Sequence, residues 1–266
     1  MSKKIGFIGC GNMGSSMVGG LINKKFVDPK DIIVSTRSNE SKKRLEDKYG
    51  VRGVLNNIVV AKESDVVVLA VKPYMYKEVL EEVKTAFRED QIIISIAAGI
   101  DLSDLHNMIG DNFKIIKTMP NTPALVGEGM SAICPNGNVT EEELSYVCSM
   151  FESFGKYEIL NEKDFHGFIA LCGSSPAYVF MFIEAMADGA VKLGIPRNKA
   201  YKMAAQSVLG SAKMVLETEE HPGVLKDMVC SPGGTTIEAV CELEKNGFRD
   251  AVIEALDKCA AKSKSM

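Results

Sequence analysis

Two glycine-rich stretches near opposite ends of the 266-residue chain have the composition of anion-binding turns. The first is GFIGCGNMG, residues 6–14, which lies between a strand-like run and a helix-like run. The second is SPGGTT, residues 231–236, which also precedes a helix-like run. Because the first N–H groups of a helix have no intrahelical acceptor, each turn is suited to hold a negatively charged group.

The first turn has the G-x-G-x-x-G spacing of dinucleotide-binding motifs, directly after a predicted strand. In that motif, Gly9 permits the tight turn, Gly11 lets a pyrophosphate approach the backbone, and Gly14 lets helix and strand lie close together. The alternative is a glycine-rich turn that binds nothing. The position between a strand and a helix favours the dinucleotide.

The end of the second predicted strand indicates which dinucleotide is bound. NAD-binding proteins usually carry Asp or Glu there to bind the ribose 2′-hydroxyl, whereas this chain has Ser35, Thr36, Arg37 and Ser38. Hydroxyl and guanidinium groups suit a 2′-phosphate, because arginine forms two-pronged, charge-assisted hydrogen bonds. We therefore predict NADPH in preference to NADH; the alternative is that Arg37 is only a solvated loop charge.

Residues 1–160 alternate between short apolar runs and helix-like stretches. Several runs are continuous in valine and isoleucine, as expected for parallel strands covered on both faces. Strands are predicted at 5–9, 31–36, 65–71, 91–97, 113–118, 130–135 and 155–160, and helices at 13–24, 39–48, 74–87, 101–109 and 140–153. This alternation predicts an α/β dinucleotide-binding domain with a doubly wound, Rossmann-type sheet, which the last two strands complete at its edge.

Residues 161–266 contain no strand-like run, and Gly or Pro separates their helix-like stretches. We predict that they form an all-helical domain. The stretch Ala177–Val191 is apolar on nearly every face and must be buried. In so small a domain, this predicts burial against a second copy of the chain. Glu184 and Asp188 within the stretch, together with its length, argue against a membrane span.

The overall composition excludes several classes of protein. A net charge of −4 gives no basic surface for a nucleic acid, and the cluster Lys42–Arg44 is typical of a solvated helix face, with an anion contact as the alternative. The N-terminal MSKKIGFIG lacks a signal-peptide pattern. Seven cysteines without a C-x-x-C pair or zinc-ligand spacing predict reduced thiols in a cytoplasmic protein, with no structural metal.

Two further predicted strands lead into short segments at the sheet edge where the nicotinamide ribose is expected, and the small residues in them let the ribose lie close to the chain. The segments are Ala70, Val71, Lys72 and Pro73 at one strand, and Ala97, Ala98 and Gly99 at the next. Lys72 is either a ribose contact or a solvated charge. Asn121, whose loop is stiffened by flanking prolines, is expected to contact cofactor or substrate.

A reduced nicotinamide cofactor donates a hydride, and the lack of an evident proton donor in the sequence limits which substrates could accept it. His106, His166 and His221 lie in or near helix-like stretches without an acid or base partner, as is typical of surface or packing residues. A ketone needs a proton donor of near-neutral pKa, whereas a protonated imine is already cationic.

A small imino acid is therefore favoured, with its carboxylate on the SPGGTT turn and the Thr236 hydroxyl near the imine nitrogen. The alternative is that SPGG merely joins two helices, with Thr235 or Ser231 as the N-cap.

Over essentially its whole length, the chain resembles the pyrroline-5-carboxylate reductases. The tail HPGVLKDMVCSPGGTTIEAVCELEKNGFR, residues 221–249, is similar to the signature of that family. The segments GFIGCGNMG, SDVVVLAVKP, MPNTPALVGEG and GSSPAYVFMFIEAMADGAVKLGIP follow the same family in order. One departure is CGSSP, in which Ser175 stands where the family commonly has a glycine; this affects a helix start rather than the chemistry.

The resemblance implies reduction of 1-pyrroline-5-carboxylate to L-proline by direct hydride transfer from NADPH or NADH, the last step of proline biosynthesis. It also implies roles for particular residues. The pyrophosphate would lie at Cys10, Gly11, Asn12 and Met13, the adenosine ribose near Asn57 and the Ser35–Ser38 turn, and the nicotinamide beside Ala70–Pro73 and Ala97–Gly99. The substrate loop would comprise Val229, Ser231, Gly233, Gly234, Thr235 and Thr236, with Glu219 nearby.

In similar enzymes the helical domains pair as intertwined homodimers, which often assemble further into rings such as a decamer. Residues 161–266 are thus expected to bind substrate and to dimerise. A β-hydroxyacid dehydrogenase would share this architecture, but Val179 occupies the approximate place of that family's catalytic lysine. The residues also leave open a reductase of a related cyclic imine and an NADP-binding protein without turnover.

Overall fold

The computed structural model describes residues 3–265, which fall into two compact units. One unit comprises the described residues up to Gly173 together with those from Ala260 onward, and the other is Ser174–Cys259. The domain boundary predicted between residues 160 and 161 follows the change from α/β to all-helical sequence, whereas these two units are defined by compactness. The predicted boundary therefore remains a prediction.

The first unit contains one eight-stranded sheet. Its strands are β1 (Ile5–Ile8), β2 (Ile32–Ser35), β3 (Arg52–Val54), β4 (Val66–Leu69), β5 (Ile92–Ser95), β6 (Lys114–Pro120), β7 (Gly129–Pro135) and β8 (Gly155–Ile159). The strand order is β3-β2-β1-β4-β5-β6-β7-β8, and only β6 and β7 are antiparallel. This confirms the predicted doubly wound, Rossmann-type sheet with two final strands at its edge. The order reverses between β1 and β4, which is where such sheets bind ligands.

Helices cover both faces of this sheet. They are α1 (Asn12–Asn23), α2 (Asn39–Tyr49), α3 (Asn57–Glu63), α4 (Tyr76–Val83), α5 (Leu102–Ile109), α6 (Glu141–Phe151) and α7 (Phe165–Phe168). α1, α2 and α6 contribute to the core on one face, and α3, α4 and α5 contribute to the core on the other. Because both faces are covered, every residue of β1, β2, β4 and β5 is buried, which explains their continuous apolar sequences.

The strand ends on the ligand side of the sheet are level with one another. Ile8 at the end of β1 pairs with Ser35 of β2 and with Leu69 of β4, and Leu69 pairs in turn with Ser95 of β5. The loops that leave these four strands therefore start from one edge of the sheet.

The sequence pattern does not predict β3 or α3. β3 has only three residues, and it forms by pairing with the edge of β2. α3 has seven residues and is capped by the Asn56 side chain, which accepts a hydrogen bond from the backbone of Ile58. Elements this short give too few periods of hydrophobic pattern to be recognised.

The second unit is helical. It contains α8 (Ser175–Lys192), α9 (Arg197–Thr218), α10 (Pro222–Val229), α11 (Thr235–Lys245) and most of α12 (Phe248–Lys264). This confirms the predicted all-helical half. Among the described residues of this unit, only Ala187, Ala200 and Ala204 are buried. Two large apolar side chains of α8, Phe180 and Met181, are 64% and 68% exposed.

One helical segment, Glu162–Lys192, is long and apolar enough to cross a membrane by length and composition alone. The helical structure that contains the apolar stretch begins before Ala177 and spans 31 residues, so it is longer than the stretch Ala177–Val191 on which the prediction against a membrane span is based. The core helix of a soluble protein can have the same length and composition; in this segment, 11% of the apolar window is buried within the chain.

Candidate cofactor and substrate sites

The turn after β1 has the backbone geometry that a dinucleotide-binding motif requires. Gly9 has a φ of +77°, which favours glycine, and a Cβ added there would lie 2.6 Å from Cγ1 of Val71. A Cβ added at Gly14 would lie 3.2 Å from Cβ of Ala70. The absence of side chains at these two glycines therefore lets the turn and α1 lie close to the loop after β4.

Gly11 serves a different purpose, since a Cβ added there would meet no described atom within 4 Å. α1 begins at the next residue, Asn12, and no side chain among residues 3–265 caps its N-terminus. The space in front of Gly11 is thus open and faces the free N–H groups of a 12-residue helix. A pyrophosphate needs this combination of space, N–H donors and helix dipole, so the residues fit the predicted cofactor.

The neighbouring side chains of the turn are directed toward the protein. Cys10 is buried and belongs to the core beneath the turn, while Met13 is partly buried against the same core. Burial raises the pKa of the Cys10 thiol to about 12, although the positive charge of Arg44 opposes this increase. These two residues can therefore serve a ligand through their backbone rather than through an ionised side chain.

The side chain of Ser35 holds the glycine turn through a hydrogen bond from the interior of the protein. Its hydroxyl oxygen accepts a hydrogen bond from the Gly9 backbone (3.2 Å) and donates one to Oδ1 of Asn57 (2.7 Å). Nδ2 of Asn57 in turn donates to Oε2 of Glu82 (2.8 Å). Ser35 is only 1% exposed and its hydroxyl holds the turn, so its predicted role as a direct cofactor contact remains a prediction. The described contacts of the Asn57 amide are likewise with protein groups.

The turn that follows β2 leaves its arginine available. Oγ1 of Thr36 donates to the backbone oxygen of Ser38 (3.0 Å), and the Ser38 hydroxyl caps α2 by accepting from the backbone of Ser41 (3.2 Å). Arg37 is exposed and forms no ion pair with any residue in the 3–265 range. Its guanidinium is therefore free to bind a 2′-phosphate, as predicted for NADPH.

A cavity of about 240 Å³ adjoins the glycine turn. It is lined by Cys10, Gly11, Asn12, Ser15, Arg44, Leu45 and Lys48. The sequence pattern leaves Arg44 open as an anion contact, as the less favoured alternative for the cluster Lys42–Arg44, and does not single out Lys48. The available signal is their separation of four residues, which places both on one face of α2.

The two loops predicted to flank the nicotinamide follow β4 and β5. Ala70 and Val71 are half-buried, and Lys72 and Pro73 are exposed. Ala97 is buried, Ala98 is half-buried, and Gly99 is exposed with a φ of +74°. Lys72 forms no ion pair within the part of the chain that the structure describes, so its two predicted roles both remain open.

A buried tyrosine that the sequence pattern does not single out joins the ends of three strands. The hydroxyl of Tyr76 donates to the backbone oxygen of Leu69 on β4 (2.7 Å) and accepts from Oγ of Ser95 on β5 (3.1 Å). Oγ1 of Thr118 on β6 then donates to the backbone oxygen of Ser95 (2.9 Å). Burial raises the pKa of Tyr76 to about 12, and the hydrogen bond with Ser95 opposes it. This chain of bonds fixes the spacing between the loops after β4 and β5.

Asn121 is placed differently from its predicted role as a substrate contact. The residue is 7% exposed. Its Oδ1 accepts from the backbone of Met130 (2.9 Å) and its Nδ2 donates to the backbone oxygen of Cys172 (2.9 Å). Cys172 lies in the π-helical turn Ile169–Ser174, and the hydrogen bonds of the Asn121 amide link this turn to β7. The role of Asn121 as a contact to cofactor or substrate remains a prediction.

The second glycine-rich turn, in the helical unit, joins α10 to α11. Gly233 has a φ of +67°, and the N–H of Gly234 donates to the backbone oxygen of Ser231 (3.0 Å). Gly234 is the N-cap of α11, so no side chain among the described residues caps this helix. The interpretation that Thr235 or Ser231 is the N-cap is therefore wrong.

The open N-terminus of α11 presents unpaired backbone N–H groups, as an anion site requires. The side chains of Ser231, Thr235 and Thr236 are exposed, and their hydroxyls form no hydrogen bond with any residue in the described chain. Val229, at the end of α10, is 63% exposed. All the side chains predicted for this loop are thus accessible to a ligand.

Glu219 ends α9 in the left-handed conformation, with a φ of +56°. This conformation is unfavourable for a residue other than glycine, asparagine or aspartate. Its carboxylate is exposed and forms no ion pair with residues 3–265.

Among the described residues, no group of three His, Cys, Asp or Glu side chains could hold a metal ion, and all seven cysteines are free thiols.

Comparison with known proteins identifies the family. Residues 162–266 match the family model described as pyrroline-5-carboxylate reductase dimerisation, and residues 4–99 match that described as NADP oxidoreductase coenzyme F420-dependent. The curated pyrroline-5-carboxylate reductase of Escherichia coli (strain K12) is 53% identical over 266 residues, covering 100% of this chain and 99% of that protein. The chain belongs to the pyrroline-5-carboxylate reductase family.

Solved structures of the pyrroline-5-carboxylate reductase family share the fold. That of the Coxiella burnetii enzyme has a TM-score of 0.94 and 35% identity, covering 100% of this chain and 98% of that one. The Plasmodium falciparum pyrroline carboxylate reductase, solved with NADP bound, has a TM-score of 0.89 and 34% identity, covering 99% of this chain and 97% of that one. The resemblance inferred from the sequence is therefore confirmed, and the roles of individual site residues remain predictions.

Proposed function

We propose that the protein reduces 1-pyrroline-5-carboxylate to L-proline with NADPH, as the last step of proline biosynthesis. The observation that carries the proposal is full-length identity of 53% to the curated enzyme of Escherichia coli. The open N-termini of α1 and α11 support it, since a dinucleotide and a carboxylate substrate each need an anion site. Both turns keep glycine where a side chain would interfere with the backbone or the ligand.

In this proposal the first unit binds the cofactor. The N–H groups that follow Gly11 bind the pyrophosphate, and the guanidinium of Arg37 binds the 2′-phosphate. Ser35 and Tyr76 act as positioning residues: Ser35 holds the glycine turn, and Tyr76 sets the separation of the loops after β4 and β5. Ala70 and Ala97, at the starts of these two loops, leave room for the nicotinamide because their side chains are small.

The loop between α10 and α11 binds the substrate carboxylate through backbone N–H groups, and the Thr236 hydroxyl contacts the imine nitrogen. When bound, the reduced nicotinamide would supply a hydride to the imine carbon, so that the protonated C=N becomes a neutral secondary amine. No acid group is needed to polarise a substrate that is already cationic. Orientation of the reactants supplies much of the acceleration, for which about 7–11 kcal/mol is attainable in well-aligned systems.

The test is a set of parallel assays of the purified protein. NADPH oxidation is followed with 1-pyrroline-5-carboxylate, with the same imine and NADH, and with a six-membered cyclic imine; NADP reduction is followed with 2-hydroxy and 3-hydroxy acids. We expect the fastest turnover with 1-pyrroline-5-carboxylate and NADPH. Turnover with a hydroxy acid but not with an imine would contradict the proposal, and NADPH binding without any turnover would favour a non-catalytic NADP-binding protein.

We also propose that the chain forms a homodimer through residues 162–266 and that dimers assemble into a ring such as a decamer. The match of this region to a dimerisation domain and the exposed apolar side chains of α8 support self-association. Light scattering coupled to size-exclusion chromatography would measure the mass; a mass equal to that of one chain would contradict the proposal.

We propose a cytoplasmic location, which the free thiols of all seven cysteines support. Cell fractionation is the test, and recovery of the protein with the membranes would contradict the proposal.

A further inference from the structure

Two cations on α2 lie at the cavity that adjoins the glycine turn. Leu45 is buried in the core with 2% exposure and fixes the orientation of α2. Arg44 and Lys48 are four residues apart, on one face of the helix, and both line the same cavity as Gly11 and Asn12. The cavity therefore has backbone N–H donors on one side and two side-chain cations on the other.

These cations are not neutralised by the protein. Within residues 3–265, neither Arg44 nor Lys48 forms an ion pair, although Lys42 on the same helix pairs with Glu46 at 3.8 Å. Glu40 and Asp47 line an outer depression that Arg44 and Lys48 also reach, yet neither carboxylate pairs with them. Like charges four residues apart on a helix repel each other, so an anion between them would be stabilising.

We propose that Arg44 and Lys48 bind the pyrophosphate of the dinucleotide from the side opposite the glycine turn; this rests on the cofactor in the proposed function. Gly11 and Asn12, at the open end of the turn, line the cavity, whereas the Thr36–Ser38 turn does not. This location favours the pyrophosphate over the 2′-phosphate. The positive charge of Arg44 also reaches the turn itself, since it lowers the pKa of Cys10 against the larger effect of burial.

The test is equilibrium binding, measured by the fluorescence of bound NADPH and NADH without substrate. For Arg44→Ala, Lys48→Ala and the double variant, we expect dissociation constants at least about tenfold higher for both cofactors, in equal proportion, because a charge-assisted hydrogen bond is lost. The salt dependence of binding should also become shallower. Lys42→Ala, on the same helix but lining neither this cavity nor the outer depression, is the matched control and should leave both constants unchanged.

Each outcome supports or overturns the assignment. A loss confined to NADPH would assign the two cations to the 2′-phosphate and overturn the proposal, as would unchanged binding in the double variant. Arg44→Gln keeps the length of the side chain and removes its charge, so it serves if an alanine variant fails to fold. Absence of NADPH binding by the unmodified protein would contradict the proposed function itself.

Discussion

The backbone N–H of Gly9 donates a hydrogen bond to the hydroxyl oxygen of Ser35, with a distance of 3.2 Å between nitrogen and oxygen. Gly9 starts the glycine turn after β1, and Ser35 is the last residue of the neighbouring strand β2. Since Ser35 also donates to Asn57 at the start of α3, three elements meet at this hydroxyl. The position of the candidate pyrophosphate site thus depends on a side chain that is itself buried.

Replacing Ser35 with alanine leaves the Gly9 N–H without its acceptor. We expect a loss of about 1–3 kcal/mol in the free energy of unfolding, as for other buried groups that lose a partner. NADPH and NADH should both bind about tenfold more weakly, without a change in preference, if about 1.4 kcal/mol of this loss falls on the turn. Urea denaturation and fluorescence titration measure the two effects.

The matched control is Ser131→Ala, because Ser131 is a similarly buried serine whose hydroxyl has no partner among the described residues. It should change neither quantity appreciably. Equal effects of the two substitutions on cofactor binding would show that Ser35 does not position the turn.

Replacing Arg37 with alanine should weaken NADPH binding about 10- to 100-fold and leave NADH binding unchanged, because a charge-assisted contact to the 2′-phosphate contributes about 1.5–3 kcal/mol. Arg37→Lys keeps the charge but cannot form two parallel hydrogen bonds, so an intermediate affinity is expected. Titration of each variant with both cofactors provides the measurement. The same loss for NADH and NADPH would exclude the assigned contact.

Replacing Thr236 with alanine should lower kcat about tenfold or more, equivalent to about 1.4 kcal/mol of transition-state stabilisation. The free energy of unfolding should change by less than about 0.5 kcal/mol, since the side chain is exposed and makes no hydrogen bond to the described residues. Steady-state kinetics and urea denaturation separate the two effects. Thr236→Ser retains the hydroxyl and should restore activity; wild-type kcat in the alanine variant would rule out the role.

Replacing Tyr76 with phenylalanine removes the hydroxyl that joins β4 and β5, and should lower the free energy of unfolding by about 1–3 kcal/mol at neutral pH. The substitution should also change how the free energy of unfolding depends on pH. The folded state raises the pKa of Tyr76 from 10.0 to about 12. The resulting stabilisation is complete below about pH 10 and is lost as the pH rises through about 12. Between these pH values the unfolded state releases the Tyr76 proton while the folded state keeps it.

Denaturation curves at pH 8, 10 and 11 would show the effect as a difference between the wild-type protein and Tyr76→Phe that narrows with increasing pH. A difference that stays constant over this range would mean that the hydroxyl is not the group whose titration is linked to folding.

The sequence predicts the glycine turns well, because the backbone angles at Gly9 and Gly233 leave little choice of residue type. Side-chain direction is harder to predict. Four consecutive residues from Ser35 to Ser38 carry suitable polar groups, yet Ser35 faces the core while Arg37 faces solvent. A motif specifies which residues lie at a strand end but not which of them point toward a ligand.

Contacts between distant elements are the other part that the sequence does not reveal. The cavity that Arg44 and Lys48 share with the start of α1 identifies them as site residues, whereas the sequence offers Arg44 only as an alternative and does not single out Lys48. In the sequence, Tyr76 is simply one apolar position of an amphipathic helix. Its importance depends on the partners of its hydroxyl on β4 and β5, which only the structure shows. Such residues follow from tertiary packing, which a local pattern does not encode.

The helical unit Ser174–Cys259 buries only three of its residues, all of them alanines. A segment with so little interior cannot offset its loss of chain entropy alone. We therefore predict that this unit completes its fold only on association with another copy of the chain, so that the temperature of unfolding rises with protein concentration. An unfolding temperature that does not change with protein concentration would contradict this prediction.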